Sequence, residues 1–302
     1  MASEIGGIEF KHVIMFQTQV MMGNQFGRII WAREKAQNGI TYDLNGITYD
    51  LKDEILIACL RMGWNDAFRH VSENVVGVDD RIKKEEHNNK NGNKKYGKQR
   101  FDDYFCVVLN NQTLLRIFCN YAKKEDTEKK CKYLEDEQIK KDLHSIFGTV
   151  KKQTGTKALC FGHIQKMFNI ALKLYLCIYM CRESLELDNQ LFYDGVIEAL
   201  KYADCPIDSI VLNKLDEKKK EDQRISDDKY MKYGENEKGK ALVNKKFSNI
   251  VWSKINGEKK ESTIEAYKNV QYAIATLNDN KKSNLYFDFT EWKNNEYSPK
   301  EQ

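Results

Sequence analysis

Only two prolines occur in 302 residues. Proline fixes φ and removes a backbone donor, so its near-absence leaves few enforced breaks and permits long helices. The eight cysteines include no CxxC pair. Cys177 and Cys181 are four apart, but no neighbouring His or Cys completes a zinc set. Cys59, Cys106, Cys119, Cys160 and Cys177 lie within apolar runs, where cysteine behaves as a small buried hydrophobe. The expectation is a reduced, cytoplasmic protein with no metal and no cofactor. Long apolar runs are also missing. The longest without a charge, residues 174–181, falls well short of the roughly 20 residues that a membrane span needs. The N-terminus carries Glu4 and Glu9 and lacks a basic stretch followed by an apolar run, so no secretory signal is expected.

Motifs of catalysis are absent too. There is no GxSxG elbow, HExxH helix, EF-hand loop or GxGxxG. The stretch GTKALC at 155–160 lacks the GKS or GKT ending of a phosphate-binding loop. No pattern sets a Ser or Cys beside a His as a nucleophile pair. Large hydrolase, oxidoreductase and NTPase families that announce themselves by motif are thereby set aside.

What is present is a globular composition, 41% hydrophobic and 31% charged, in a chain long enough for one large domain or two small ones. The fold class expected is mainly α. Helical periodicity runs through residues 10–21, 26–36, 53–75, 101–121, 134–147, 158–181, 189–202, 241–255 and 263–277. Ser262 or Thr263 is placed to cap the last of these. Residues 285–292, LYFDFTEW, alternate polar and apolar side chains and predict a short strand. Residues 40–51, ITYDL-NG-ITYDL, predict a β-hairpin, because Asn45-Gly46 suits a type I′ turn. The repeat sets its register: Leu44 faces Ile47, Tyr42 faces Tyr49, Ile40 faces Leu51, and Thr41 and Asp43 face Asp50 and Thr48. A lone hairpin is marginal, so this one should pack on helices. The division expected is a main helical domain over 1–215, a charged linker or loop over 216–240, and a C-terminal helical segment over 241–302 that packs on the main body.

The central stretch 161–181, FGHIQKMFNIALKLYLCIYMC, is apolar enough for a core, yet Lys166, Asn169 and Lys173 recur at i, i+3 and i+7 on one helix side. Burying such groups unpaired costs roughly 2–7 kcal/mol each, more for a charge. The stripe therefore needs partners. Asp208 or Asp204, in the loop after the next helix, can return to pair with Lys166. His163 lies in the first turn of this helix, where anions are favoured. The candidate ligand-binding set is His163, Lys166, Asn169, Lys173 and Asp208 around one polar cleft. A structural ion pair tying two helices is the other reading. His12, His70 and His144 sit on helix faces and suggest nothing specific.

Charge is unevenly spread. Residues 81–100 hold eight Lys or Arg and two Glu, while the whole chain carries a net +4. Lys83, Lys84, Lys90, Lys94, Lys95, Lys98 and Arg100 are candidate phosphate contacts, and Tyr96 and Phe101 can stack on bases. Within this segment Arg81 and His87 resemble the Arg-x4-6-His motif of the HEPN ribonucleases, an all-helical family of RNA-cleaving toxins and defence effectors. The resemblance implies His87 in proton transfer and Arg81 in phosphate stabilisation, without a metal. It covers seven residues. In that family the motif opens a helix with an apolar stripe, whereas here RIKKEEH runs into NNKNGNKK. The function expected is association with RNA or DNA through 81–100, as an effector or regulator of a defence or mobile-element locus. The alternatives are a non-catalytic module that binds a protein partner or a second copy of itself, and a small-ligand or nucleotide sensor. No membrane role is expected.

Overall fold

The computed structural model describes residues 10–44, 47–68, 112–147, 150–152, 155–157, 160–255, 262–280 and 283–292. The fold is mainly α. Helices α1 (Phe10–Met22) and α2 (Phe26–Ala36) meet at the 3₁₀ turn Gly23–Gln25. Strands β1 (Thr41–Leu44) and β2 (Ile47–Asp50) then pair antiparallel, Tyr42 with Tyr49 and Leu44 with Ile47, in the register read from the repeat. The turn residues Asn45 and Gly46 lie outside the described residues. The hairpin does rest on helices. The Tyr42 ring meets Trp31 edge-on at 4.8 Å, and its hydroxyl donates to Glu54. Asp50 accepts from the backbone N–H of Lys52, so its carboxylate starts helix α3 (Leu51–Phe68).

Helix α3 lies against the central helix α7 (Phe161–Met180), the most extensive helix–helix contact among the described residues. Gly63 makes the approach possible, because a Cβ there would stand 2.2 Å from the Met167 carbonyl oxygen. Leu56, Ala58, Cys59 and Leu60 are all buried, as are thirteen residues of α7, Leu172 among them. Leu176 and Tyr179 pack on the same core, partly buried.

Between these two come α4 (Gln112–Ala122), α5 (Thr127–Glu135), α6 (Glu137–Phe147) and the small hairpin β3 (Val150–Lys152) with β4 (Gly155–Lys157). The helix expected over 134–147 breaks at Asp136, whose carboxylate accepts from Gln138 and Ile139 N–H and starts α6. The part of the 101–121 helix before Gln112 lies outside the described residues.

Beyond α7 the chain departs from the expected pattern in several places. The helix expected over 189–202 is interrupted. The short helix α8 (Asp194–Ala199) lies between 3₁₀ turns Asn189–Leu191 and Leu200–Tyr202. Phe192 is extended so that its ring fits beside Tyr175 and Tyr179, and Tyr193 N–H donates to the Tyr175 hydroxyl instead of to a helical carbonyl. After helix α9 (Ser209–Glu221) comes a hairpin, β5 (Lys232–Glu235) with β6 (Ala241–Val243). The helix expected over 241–255 is therefore corrected to that strand followed by 3₁₀ turns Phe247–Asn249 and Trp252–Lys254. Its backbone donors are satisfied from elsewhere: Phe247 and Ser248 N–H by Asp216, Val251 N–H by the Ser262 hydroxyl. Helix α10 (Ile264–Leu277) begins as foreseen, with Thr263 accepting from Ala266 N–H. Finally, residues Leu285–Trp292 form helix α11, not a strand. Eight residues of alternation fit a helix face as well as a pleat. Here Leu285, Phe287 and Asp288 are buried together.

One hydrophobic cluster runs from Met22 to Phe287. Even the charged stretch 216–240 contributes to it, through Ile225, Tyr230 and Met231. No helix among the described residues is long and apolar enough to cross a membrane.

Candidate functional site

Helix α7 carries the polar stripe, and the structure gives each member of it a partner inside the protein. Lys166 is 2% exposed. Its Nζ lies 2.8 Å from Asp66 on α3, 3.7 Å from Asp208, and 4.4 Å above the Trp252 ring. The other Asp208 oxygen accepts from Ile210 and Val211 N–H and so caps α9. One ammonium group thus ties α3, α7, the start of α9 and the 252–254 turn. Asp208 is the loop acid that reaches Lys166; Asp204 pairs elsewhere.

Asn169 is fully buried. Its Oδ1 accepts from the Tyr121 hydroxyl at 2.9 Å, and its amide donates to Gln165 Oε1 and Tyr267 Oη, both at 3.2 Å. Tyr267 in turn donates to Asp204, which also accepts from Thr127 Oγ1 at 2.7 Å. The Lys130 ammonium stands 3.7 Å from the same carboxylate and donates to the Tyr202 carbonyl. A continuous network therefore joins α7 to α4, α5 and α10. Burial pushes the Tyr121 and Tyr267 phenols well up, and the Asp204 charge adds to this, so both remain hydrogen-bond donors at neutral pH. Replacing Asn169 by Leu, similar in size, should cost about 2–3 kcal/mol, because two buried hydroxyls lose a partner. Urea unfolding of the variant measures this; a loss below about 0.5 kcal/mol would mean the tyrosines find other partners.

Lys173, farther along, pairs with Asp288 of α11 at 2.7 Å and lies over the Phe289 ring. Burial raises the Asp288 pKa, against the opposing pull of Lys173. Lys166, Asn169 and Lys173 do not share an open cleft. They occupy three adjoining internal settings, each neutralised or hydrogen-bonded.

Lys130 was hidden from sequence reasoning. It sits in the mixed-charge run 123–141, which reads as a solvated surface, yet it is 1% exposed. Its neighbours at helical spacing, Thr127, Cys131 and Leu134, are buried with it. That spacing is the signal a sequence reading could have used.

An open feature lies at the N-terminal end of α7. A cavity of about 200 Å³ is lined by Leu134, Glu135, Lys140, Leu143, His144, Cys160, Phe161 and Ile164. Cys160 immediately precedes α7, and its Sγ is 2.7 Å from Nδ1 of His163. No nucleophile motif marks this pair in the sequence, yet the fold sets the cysteine beside the histidine. The helix supplies the geometry: the residue before a helix and the third residue within it lie over one another on the first turn. The pair is covered by the 252–254 turn. Sγ lies 3.0 Å from the Ser253 carbonyl oxygen, and the His163 ring meets Trp252 edge-on at 5.7 Å. This covering turn comes so near that a Cβ on Gly162 would stand 1.8 Å from the Trp252 carbonyl oxygen. Of the sequence candidates, His163 thus belongs to a cysteine pair, and it meets Lys166 only through the Trp252 ring that both lie against.

Arg81, His87, Lys83, Lys84, Lys94, Lys95, Lys98 and Arg100 lie outside the described residues. Among the described residues no group of His, Cys, Asp and Glu is arranged to hold a metal ion, and no disulfide joins the cysteines. In comparisons with known proteins the chain matches no family model, no curated protein and no solved structure.

Proposed function

We propose that this protein associates with nucleic acid through the Lys-rich segment 81–100, with the helical body as its scaffold. The observation that carries the reading is the charge distribution. The segment holds eight Lys or Arg against two Glu, while the chain as a whole is only +4. The buried Lys130 and Lys166 and the partly buried Lys173 are each answered by a carboxylate of the same chain. They offer nothing to a phosphate, which weakens the reading as a sensor built on the central stripe. Contacts from the 81–100 segment would be indifferent to sequence and sensitive to salt. The reading includes a cytoplasmic setting, supported by the lack of any disulfide among the described cysteines.

Anisotropy of a labelled single-stranded RNA, titrated at several salt concentrations, tests the proposal. Affinity should fall steeply as salt rises. Exchanging Lys83, Lys84, Lys90, Lys94, Lys95 and Lys98 for Gln should flatten the log–log slope by about 4, at about 0.7 per phosphate contact. Binding absent at low salt, or unchanged by the six substitutions, would sink it. In the ribonuclease form of the reading, Arg81 and His87 cleave the bound strand without a metal, and full cleavage by His87→Ala would dispose of that form.

The second reading is a non-catalytic interaction module. The internal pairing of Lys166, Asn169 and Lys173 favours it, because a stripe that looks like a site is then a framework. Co-purification of a protein partner without nucleic acid is the outcome that would prefer it.

A further inference from the structure

We propose that Cys160 is a nucleophilic thiol, activated by His163, and that it takes a small electrophile entering the cavity beside the start of α7. This goes beyond the nucleic-acid reading and does not depend on it.

Three observations converge. The first is the sulfur-to-Nδ1 contact of 2.7 Å, within reach for direct proton transfer. The second is position: a thiolate preceding a twenty-residue helix lies in the favourable field of its N-terminus, which lowers the cost of the charge. The third is access. Cys160 lines a cavity of about 200 Å³, large enough for a small molecule, and His163 is not part of that lining.

The surroundings constrain the chemistry. With the His163 proton on Nε2, the single S–H has two acceptors to choose between. Turned to the Ser253 carbonyl, the thiol rests neutral; turned to His163 Nδ1, it hands over its proton. The charged and titratable groups facing the pair come from four elements. Glu135 of α5 and Lys140 of α6 form an ion pair at 3.1 Å and largely cancel. His144 of α6 lines the same cavity. Lys166 of α7 lies about one turn on from His163 but is neutralised by Asp66. Lys254 follows Ser253 in the covering turn. No uncompensated carboxylate lines the cavity to oppose a thiolate.

With an alkyl halide the step balances simply. Nδ1 takes the thiol proton, the sulfur attacks carbon, the S–C bond forms as the carbon–halogen bond breaks, and halide leaves with its electron pair. The imidazolium then releases its proton to solvent.

The other described cysteines make the test selective. Burial pushes Cys119 and Cys177 up to about 11, and raises Cys59, Cys131, Cys181 and Cys205 as well. Iodoacetamide is added to the whole folded chain between pH 5 and 10, and each cysteine is followed by peptide mass. Cys160 should react at least about 10-fold faster than Cys181 at pH 7, with its rate midpoint below the ordinary thiol value of about 8.5. His163→Gln should slow Cys160 about 10-fold or more and leave Cys181 unchanged. Cys160 reacting no faster than Cys181, or a wild-type midpoint at or above about 8.5, overturns the proposal. So does a folded His163→Gln variant with an unchanged Cys160 rate. Should that variant fail to fold, the wild-type profile and the rate ratio decide alone.

Discussion

Gly63→Ala is expected to lower the unfolding free energy by about 3 kcal/mol or more, at the upper end for overpacking. The added methyl would stand 2.2 Å from the Met167 carbonyl oxygen and 3.2 Å from the Ala171 nitrogen. Both are backbone atoms of α7, so no side chain can turn away to make room. The helices must separate, and the contact they lose is the most extensive between helices among the described residues. Urea unfolding followed by circular dichroism measures the effect. Stability within about 0.5 kcal/mol of wild type would mean that α3 and α7 pack farther apart than described. Gly162→Ala should behave differently. Its methyl meets the carbonyl of Trp252 in a 3₁₀ turn, which can lift from the helix more easily than a helix can shift. Such lifting would also carry the Ser253 carbonyl away from Cys160.

Asp204→Ala is expected to cost about 3–5 kcal/mol, because it leaves the buried Lys130 ammonium without its carboxylate. Lys130 and Asp204 are 1% and 2% exposed. The same change removes the acceptor for Thr127 and Tyr267, and through Tyr267 it disturbs Asn169. Pairing the substitution with Lys130→Met should recover much of the loss, since an apolar pair of similar volume avoids the desolvation of two charges. A double-mutant cycle in urea checks both statements. If Asp204→Ala alone costs less than about 1 kcal/mol, the ammonium finds water or another acceptor and the network is not what holds α5 to α10. Equal stability of the single and double variants would show that Lys130 is no burden when its partner is gone.

The residues that read well from sequence were those governed by near neighbours. Asn45-Gly46 between two copies of ITYDL could align only one way without turning the apolar side chains outward, and the pairs Tyr42–Tyr49 and Leu44–Ile47 follow. Thr263 caps α10 because its hydroxyl reaches an amide three residues on. Asn169 pointed to a buried polar partner because its side chain is too short to reach water from the middle of an apolar helix. Tyr121, Gln165 and Tyr267 are those partners. Local periodicity and steric preference determined these features, along with the mainly helical class.

Tertiary structure decided the rest. Residues 285–292 carry a pattern that either helix or strand can use, and burial of Asp288 against Lys173 occurs on a helix. Residues 241–255 gave up helical bonding because Asp216 and Ser262, distant in sequence, accept from their amides. Phe192 broke its helix to fill a gap beside Tyr175 and Tyr179. Lys130 looked like a surface residue until the chain brought Asp204 beside it. The contact between Cys160 and His163 spans three residues, and so was within reach of sequence. The cavity beside it was not, since α5, α6 and α7 together supply its walls. A single chain encodes which groups must avoid water. Only the packed molecule decides which of them meet, because that depends on contacts between residues far apart in the sequence.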